Sequence, residues 1–170
     1  HYNILRKFKG VDLICIKYNQ LMNYDVPKNG NAFLVIAADF VTTEDGTGIV
    51  HIAPSFGSDD NHVAKLNNIG SLTLVDKYGK FKEVVTDFAG KYVKDSYCEE
   101  GERKDKLDVD TQISIKLKKE NKAFLVQKYE HSYPHCWRTD KPILYYPLDS
   151  WFIKTTGFKK KMSDLNKTIN

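Results

Sequence analysis

Short runs of β-branched and aromatic residues, each closed by a turn-forming residue, constrain this chain more than any other feature of its sequence. Aromatic residues make up 12% of the chain, and they recur inside these runs rather than at helical spacing. Such runs are typical of β-strands, so we expect a sheet-rich fold. The predicted strands cover residues 11–18, 33–41, 49–53, 71–75, 80–85 and 123–129. Residues 76–79 contain Asp and Gly and suit a tight turn, which predicts a hairpin there.

Helical signals occur at three places between and after these runs. Ser58 is a natural N-cap for a short helix over residues 58–68, with Asp59 and Asp60 near its positive end and Gly70 terminating it. Apolar residues at four-residue spacing predict a second helix over 108–121; they are Val109, Ile113 and Leu117. The lysine-rich segment 158–170 is compatible with a third helix. Pro134, Pro142 and Pro147 favour a ribbon between the second and third helices.

Composition indicates the cellular setting of the protein but does not identify its function. The formal charge of +4 and the pI near 8.8 suit contact with a polyanion, although many proteins that never bind nucleic acid share such values. Three widely separated cysteines without a CxxC pair argue against disulfides and favour a reducing, cytoplasmic setting. We expect no membrane span, since no apolar run reaches about 18 residues. The start at His1, without an initiator Met, suggests a piece of a longer protein.

Two long motifs carry a family resemblance. Residues 46–60 read GTGIVHIAPSFGSDD and resemble the editing-site signature of isoleucyl-tRNA synthetases. Residues 131–138 read HSYPHCWR and resemble the ribbon that leads back to its synthetic domain, and Ser150-Trp151-Phe152 is similar to a later family segment. Two specific matches in the right order are improbable by chance. The resemblance therefore divides the chain into a partial editing domain, 1–130, and a returning ribbon and segment, 131–170.

The resemblance implies a fold and a reaction. It implies a β-rich α+β fold with a barrel-like sheet, the editing domain of class I aminoacyl-tRNA synthetases. The implied reaction is the hydrolysis of mischarged Val-tRNA(Ile), with the tRNA(Ile) acceptor end and the misattached valine as partners. A second site of this kind is needed because an isoleucine pocket cannot strongly exclude valine, a limit for which this synthetase is the standard example. No cofactor is expected for editing, since ATP and Mg²⁺ serve only the absent synthetic domain.

The resemblance also implies which residues form the site. Asp60 matches the aspartate that binds the substrate α-ammonium group, although spacing alone favours simple complementation of a helix dipole. His51 matches the wall that excludes isoleucine, although an isolated strand histidine is more often a satisfied core residue. We assign these two as catalytic residues of the editing site. The expected substrate-binding residues are Asp59, Gly57, Phe56 and Thr47.

Some expectations follow from what the sequence lacks. The family's upstream threonine-rich peptide is absent, and Thr42-Thr43 is not it, so we expect the isolated chain to be weakly active or inactive. His131, His135 and Cys136 do not have zinc-ribbon spacing, so we expect no metal site. The lysines at 116–122 and 159–161 either meet tRNA phosphates or form a solvated face. A monomer is expected, and the alternative function is a non-catalytic RNA-binding β module.

Overall fold

The computed structural model describes residues 3–44, 47–99, 107–128 and 130–169, and all structural statements below concern these residues. Three α-helices lie among them: α1 (Ser58–Leu66), α2 (Val109–Lys119) and α3 (Lys159–Asn166). Three short 3-10 turns occupy Gly10–Leu13, Asp95–Tyr97 and Thr155–Gly157. Gly46 of the signature, Tyr129 at the end of a predicted strand, and Asn170 fall outside the described residues.

The prediction of a β-rich, barrel-like fold is wrong. The described residues contain no strand, and their sheet-like pairing is limited to isolated bridges such as Lys17↔Leu34 and Val75↔Phe81. Burial differs among the predicted strands; Ile49 is 64% exposed, whereas Val75 and Val85 are buried. High β-propensity means that a side chain fits a pleated and half-covered surface, and the backbone pairing seen here, such as that between residues 15–18 and 33–35, does not extend into a ladder of strands.

The helix predictions fare better because their signals are local. Helix α2 starts one residue after Asp108, whose Oδ1 accepts a hydrogen bond from the Thr111 N–H at 2.6 Å. Helix α1 has Gly57 rather than Ser58 as its N-cap, and no side chain caps it. At its C-terminal end the left-handed residue is Asn68, with φ of 51°, and not Gly70.

Gly70 has a different role, which is a close crossing of two backbone segments. A Cβ at Gly70 would lie 2.0 Å from the Asn29 carbonyl oxygen. The two segments are joined there by hydrogen bonds from the Asn31 N–H to the Asn68 carbonyl at 2.7 Å and from the Gly70 N–H to the Asn31 carbonyl at 2.8 Å. Only glycine allows this approach.

A small core lies between the 74–88 segment and α2. Val85, Phe88 and Val109 are buried, and four partly buried residues pack against them: Tyr24, Leu74, Phe81 and Ile113. The predicted turn at 76–79 is present, with the Gly79 N–H donating to the Asp76 carbonyl at 3.1 Å. Its flanks meet in one bridge, Val75↔Phe81, rather than in a hairpin of two strands.

A polar chain of contacts fastens Tyr24 and α2 to this core. The Tyr24 hydroxyl donates to Asp87 Oδ2 at 2.5 Å, and the same oxygen lies 3.1 Å from Lys116 Nζ. Burial, followed by the hydrogen bond to Asp87, raises the pKa of Tyr24 to about 12. The Tyr24 hydrogen bond and then Lys116 lower the pKa of Asp87. The contacts of this cluster are therefore weakened in acid, where Asp87 is protonated, and in alkali, where Tyr24 loses its proton.

Candidate functional site

The candidate site is built on the loop between Thr47 and Gly57, which leads directly into α1. The loop starts with a local bond, in which the Ile49 N–H donates to Thr47 Oγ1 at 3.3 Å. Gly48 follows Thr47 with φ of 74°, which a β-branched residue would rarely adopt. Thr47, Ile49, Val50 and His51 are all exposed, so this part of the loop faces solvent rather than a sheet.

The second half of the loop folds into a tight, partly buried turn. The N–H groups of Phe56 and Gly57 both donate to the Ala53 carbonyl, at 2.9 and 3.2 Å. Ser55 at the tip of the turn is only 7% exposed. Its Oγ donates to the Leu72 carbonyl at 2.9 Å and lies 2.6 Å from Ser71 Oγ. These contacts of the Ser55 hydroxyl group thus hold the turn in place.

Asp60 closes this loop against α1. Its Oδ2 accepts a hydrogen bond from the Ala53 N–H at 2.9 Å in a partly buried position. Asn61 also holds this loop, since its Nδ2 donates a hydrogen bond to the Pro54 carbonyl at 2.9 Å. Oδ1 of Asp60 has no hydrogen-bond partner within the described part of the chain. One carboxylate oxygen is therefore committed to the loop and the other is available.

Gly57 makes this carboxylate geometry possible. A Cβ at position 57 would lie 2.8 Å from Asp60 Oδ2 and 3.1 Å from Asp60 Cβ. The backbone of Gly57 is extended, with φ of −120° and ψ of 136°, so any residue could adopt its conformation. Glycine is needed here for space and not for backbone freedom.

The remaining candidates are less closely grouped. Asp59 is exposed in the first turn of α1, where it complements the helix dipole. Phe56 makes an edge contact with Tyr146, with ring centroids 6.2 Å apart. No hydrogen bond or ring contact joins His51 to the other candidates among the described residues. The structure thus brings Asp60 and Gly57 together but leaves His51 separate.

Sequence reasoning missed Ser55 and Asn61, which hold the loop in place. Both lie in or next to the signature, but a serine or an asparagine there reads as an ordinary turn residue. Their partners are set by tertiary contacts with residues 71–73 and with Pro54.

A cavity of about 470 Å³ shares a wall with this loop through Ser71, Leu72 and Thr73, which line it and also bond Ser55. Residues 25–30 and 68–70 form the rest of its lining. The cavity was not predicted from the sequence.

Metal-binding side chains, cysteines and apolar helices bear on what the chain can do. In the described ranges, no group of three or more His, Cys, Asp and Glu side chains is arranged to hold a metal ion. Cys15, Cys98 and Cys136 are free cysteines. No helix in the described part of the chain has the length and apolar character needed to cross a membrane.

Relatives with known names match this chain over nearly its full length. A protein of Cytophaga hutchinsonii named isoleucine-tRNA ligase is 58% identical over 99% of the chain, and one of Bacteroides fragilis with the same name is 44% identical over 99%. The chain belongs to the isoleucine-tRNA ligase family. A third ligase of this name, from Clostridium novyi, is 41% identical over 99% of the chain. No protein-family model matches the chain.

The match covers a minor part of each ligase. The chain spans 17% of the length of the Cytophaga and Bacteroides ligases and 15% of the Clostridium ligase. It therefore corresponds to one segment of a much longer ligase.

Proposed function

We propose that this segment hydrolyses mischarged Val-tRNA(Ile) as the editing site of an isoleucine-tRNA ligase. The observation that carries the proposal is the Asp60 carboxylate. The Ala53 N–H holds Oδ2, Gly57 leaves room for it, and Oδ1 has no partner among the described residues. A positioned carboxylate oxygen of this kind is suited to a charge-assisted hydrogen bond from the α-ammonium group of an aminoacyl ester.

The chemistry assigned to the site is ester hydrolysis by water. Water attacks the ester carbonyl and its oxygen becomes part of the valine carboxyl group, while the bond from the carbonyl carbon to the terminal ribose oxygen breaks and that oxygen takes a proton from the water, so that valine and uncharged tRNA leave. Asp60 binds the ammonium group, and His51 supports the ester and limits the size of the side chain. Orientation of water and ester by these contacts supplies the rate enhancement. Phe56, Gly57, Asp59 and Thr47 complete the proposed substrate-binding surface.

The same proposal includes the RNA partner, the cofactors and the cellular location of the reaction. The RNA partner in this proposal is the acceptor end of tRNA(Ile), which is supported by the relatives' name, isoleucine-tRNA ligase. Editing itself uses no cofactor, and ATP and Mg²⁺ serve isoleucine activation elsewhere in the ligase. We propose that the ligase acts as a monomer in the cytoplasm, a reducing setting that suits the three free cysteines of this segment.

Deacylation by the full-length ligase tests this function. Asp60→Ala should slow hydrolysis of Val-tRNA(Ile) by about 10- to 150-fold, since a hydrogen bond to a charged group contributes roughly 1.5–3 kcal/mol. Asp39→Ala is the matched control, because Asp39 is an exposed carboxylate outside the loop. Isoleucine activation in the same preparations reports whether the ligase is folded. Wild-type deacylation by folded Asp60→Ala would remove Asp60 from the site.

A non-catalytic RNA-binding role is the second candidate. It is favoured by exposed aromatic rings next to cations, such as Trp137 beneath Arg138. It predicts RNA binding by the ligase segment without any contribution of Asp60 or His51 to deacylation. The same assay therefore separates the two candidates.

A further inference from the structure

The ribbon after residue 130 presents a row of aromatic rings. Its two arms are joined by the His135↔Pro142 bridge and by hydrogen bonds from the Cys136 N–H to the Lys141 carbonyl at 2.8 Å and from the Ile143 N–H to the Pro134 carbonyl at 3.0 Å. In an extended arm, alternate side chains point to the same face. His131, Tyr133 and His135 are at alternate positions, and we call these three residues the ring row.

The rings of the ring row form a continuous exposed surface. The centroids of His131 and Tyr133 are 6.1 Å apart, and those of Tyr133 and His135 are 6.3 Å apart, with edge-to-face orientations in both pairs. All three residues are exposed. The ring nitrogens Nδ1 of His131 and His135 lie 2.9 Å from the carbonyls of Ser132 and Tyr133, contacts that hold the imidazoles in place.

Hydrogen bonds to the returning arm of the ribbon hold the ring row in a defined position. The Tyr97 hydroxyl donates to the Pro142 carbonyl at 2.7 Å, and the Tyr133 hydroxyl donates to the Ile143 carbonyl at 2.9 Å. The Tyr97 ring in turn makes an edge contact with the Tyr92 ring at 6.3 Å. The ring row is therefore preorganised, so a ligand need not order it on binding.

Lysine and arginine side chains lie beside the aromatic rings of the ribbon. Lys94 Nζ lies 5.8 Å from the centre of the Tyr133 ring and 3.3 Å from the exposed carboxylate of Asp110. At the tip of the ribbon, the Arg138 guanidinium lies 4.6 Å from the centre of the Trp137 ring, which is 85% exposed. Glu130 and Asp140 are exposed in the same ribbon, so net charge alone supplies little affinity.

These features match one class of ligand. Nucleobases stack on aromatic rings whatever their sequence, and nearby lysine and arginine side chains meet the phosphates that follow. A duplex offers no free base faces, so the partner must be unpaired. If the partner were a protein with an aliphatic surface, we would instead expect an apolar patch without imidazoles and cations.

We propose that the ring row is a stacking platform for unpaired nucleotides of the RNA on which the ligase acts. The identity of that RNA rests on the proposed function, but the platform itself rests on the ribbon geometry. It lies in a different part of the chain from Asp60, so it contributes to RNA affinity and not to the hydrolytic step.

Binding of a tRNA(Ile) transcript to the full-length ligase at fixed ionic strength tests the platform. Tyr133→Ala should raise Kd about tenfold, because stacking of one base on an aromatic ring contributes on that order. Tyr133→Phe keeps the ring and loses only the hydroxyl contact with Ile143, so it should bind like wild type. Tyr78→Ala is the matched control; Tyr78 is also an exposed tyrosine beside a lysine, with Lys77 Nζ 5.1 Å from its ring centre, and it lies on another turn.

The outcomes distinguish this inference from the editing proposal. Weaker binding for Tyr133→Ala alone supports the platform even if Asp60→Ala leaves deacylation intact. Wild-type Kd for Tyr133→Ala overturns it, as does an equal loss for Tyr78→Ala. Unchanged Kd with a lower melting temperature for Tyr133→Ala would show that the ring row packs against another part of the ligase, which also overturns the proposal.

Discussion

Replacing Gly57 by alanine probes how the loop holds the Asp60 carboxylate, because it adds a single methyl group to the proposed substrate-binding surface and removes no polar group from it. The new Cβ would lie 2.8 Å from Asp60 Oδ2, 2.9 Å from Asp60 Cγ and 3.1 Å from Asp60 Cβ. Rotation about χ1 moves Oδ2 and Cγ but not Cβ, so the start of α1 must also shift. Because the backbone at Gly57 is extended, alanine adds no conformational strain of its own.

The size of the effect follows from the bond that is lost. Moving the carboxylate breaks the 2.9 Å hydrogen bond from the Ala53 N–H in a partly buried position. A hydrogen bond to a charged group contributes about 1.5–3 kcal/mol, and the abandoned N–H adds a desolvation cost. Displacement of the ammonium-binding oxygen by about 1 Å costs on the order of a hundredfold in rate. We therefore expect Gly57→Ala to lower both stability and deacylation.

Deacylation of Val-tRNA(Ile) by full-length Gly57→Ala should fall about a hundredfold. Thermal unfolding of the same protein reports the loss of stability. Gly10→Ala is the control, since a Cβ at Gly10 meets nothing within 4 Å. Gly57→Ala with the deacylation rate and melting temperature of Gly10→Ala would refute the account of the Ala53–Asp60 hydrogen bond.

Two further predictions concern His51 and Tyr24. His51→Ala should enlarge the pocket, so that the full-length ligase begins to hydrolyse correctly charged Ile-tRNA(Ile); if this ester remains as stable as with wild type, His51 is not the size filter. Tyr24 keeps its proton in the folded state up to a pKa of about 12, compared with 10.0 for the free group. Its contribution to stability is therefore complete below about pH 10 and is lost as the pH rises towards 12. The difference in unfolding free energy between wild type and Tyr24→Phe should shrink over that range, and a constant difference would contradict the Tyr24–Asp87 contact.

Local signals in the sequence determined the helices and one turn. Asp108 caps α2 because its carboxylate needs only the N–H three residues ahead, and the 76–79 turn closes through hydrogen bonds that Asp76 accepts from the nearby Gly79 and Lys80 N–H groups. The apolar spacing of Val109 and Ile113 also placed the buried face of α2 correctly. Each of these features involves residues within about one helical turn of each other, so no other part of the molecule has to be known.

Tertiary structure decided the rest. Runs such as 11–18 and 49–53 have strand propensity, yet a strand exists only where a second segment pairs along its length and a layer covers one face. Gly70 was predicted to end α1, but its need for glycine comes from Asn29, a residue distant in the chain. The bonds that anchor Ser55 to residues 71–73 likewise depend on how distant segments pack.

For the candidate site, too, the sequence and the tertiary structure determined different features. The signature identified Asp60 and His51 from their order in the chain, and whether they act as proposed stays a prediction. The close approach of Asp60 to Ala53 and Gly57, and the exposure of His51, depend on how the loop folds back onto α1. A sequence motif specifies which groups are present, whereas distances of 2.9 Å between them arise only when the packing of the whole loop is set.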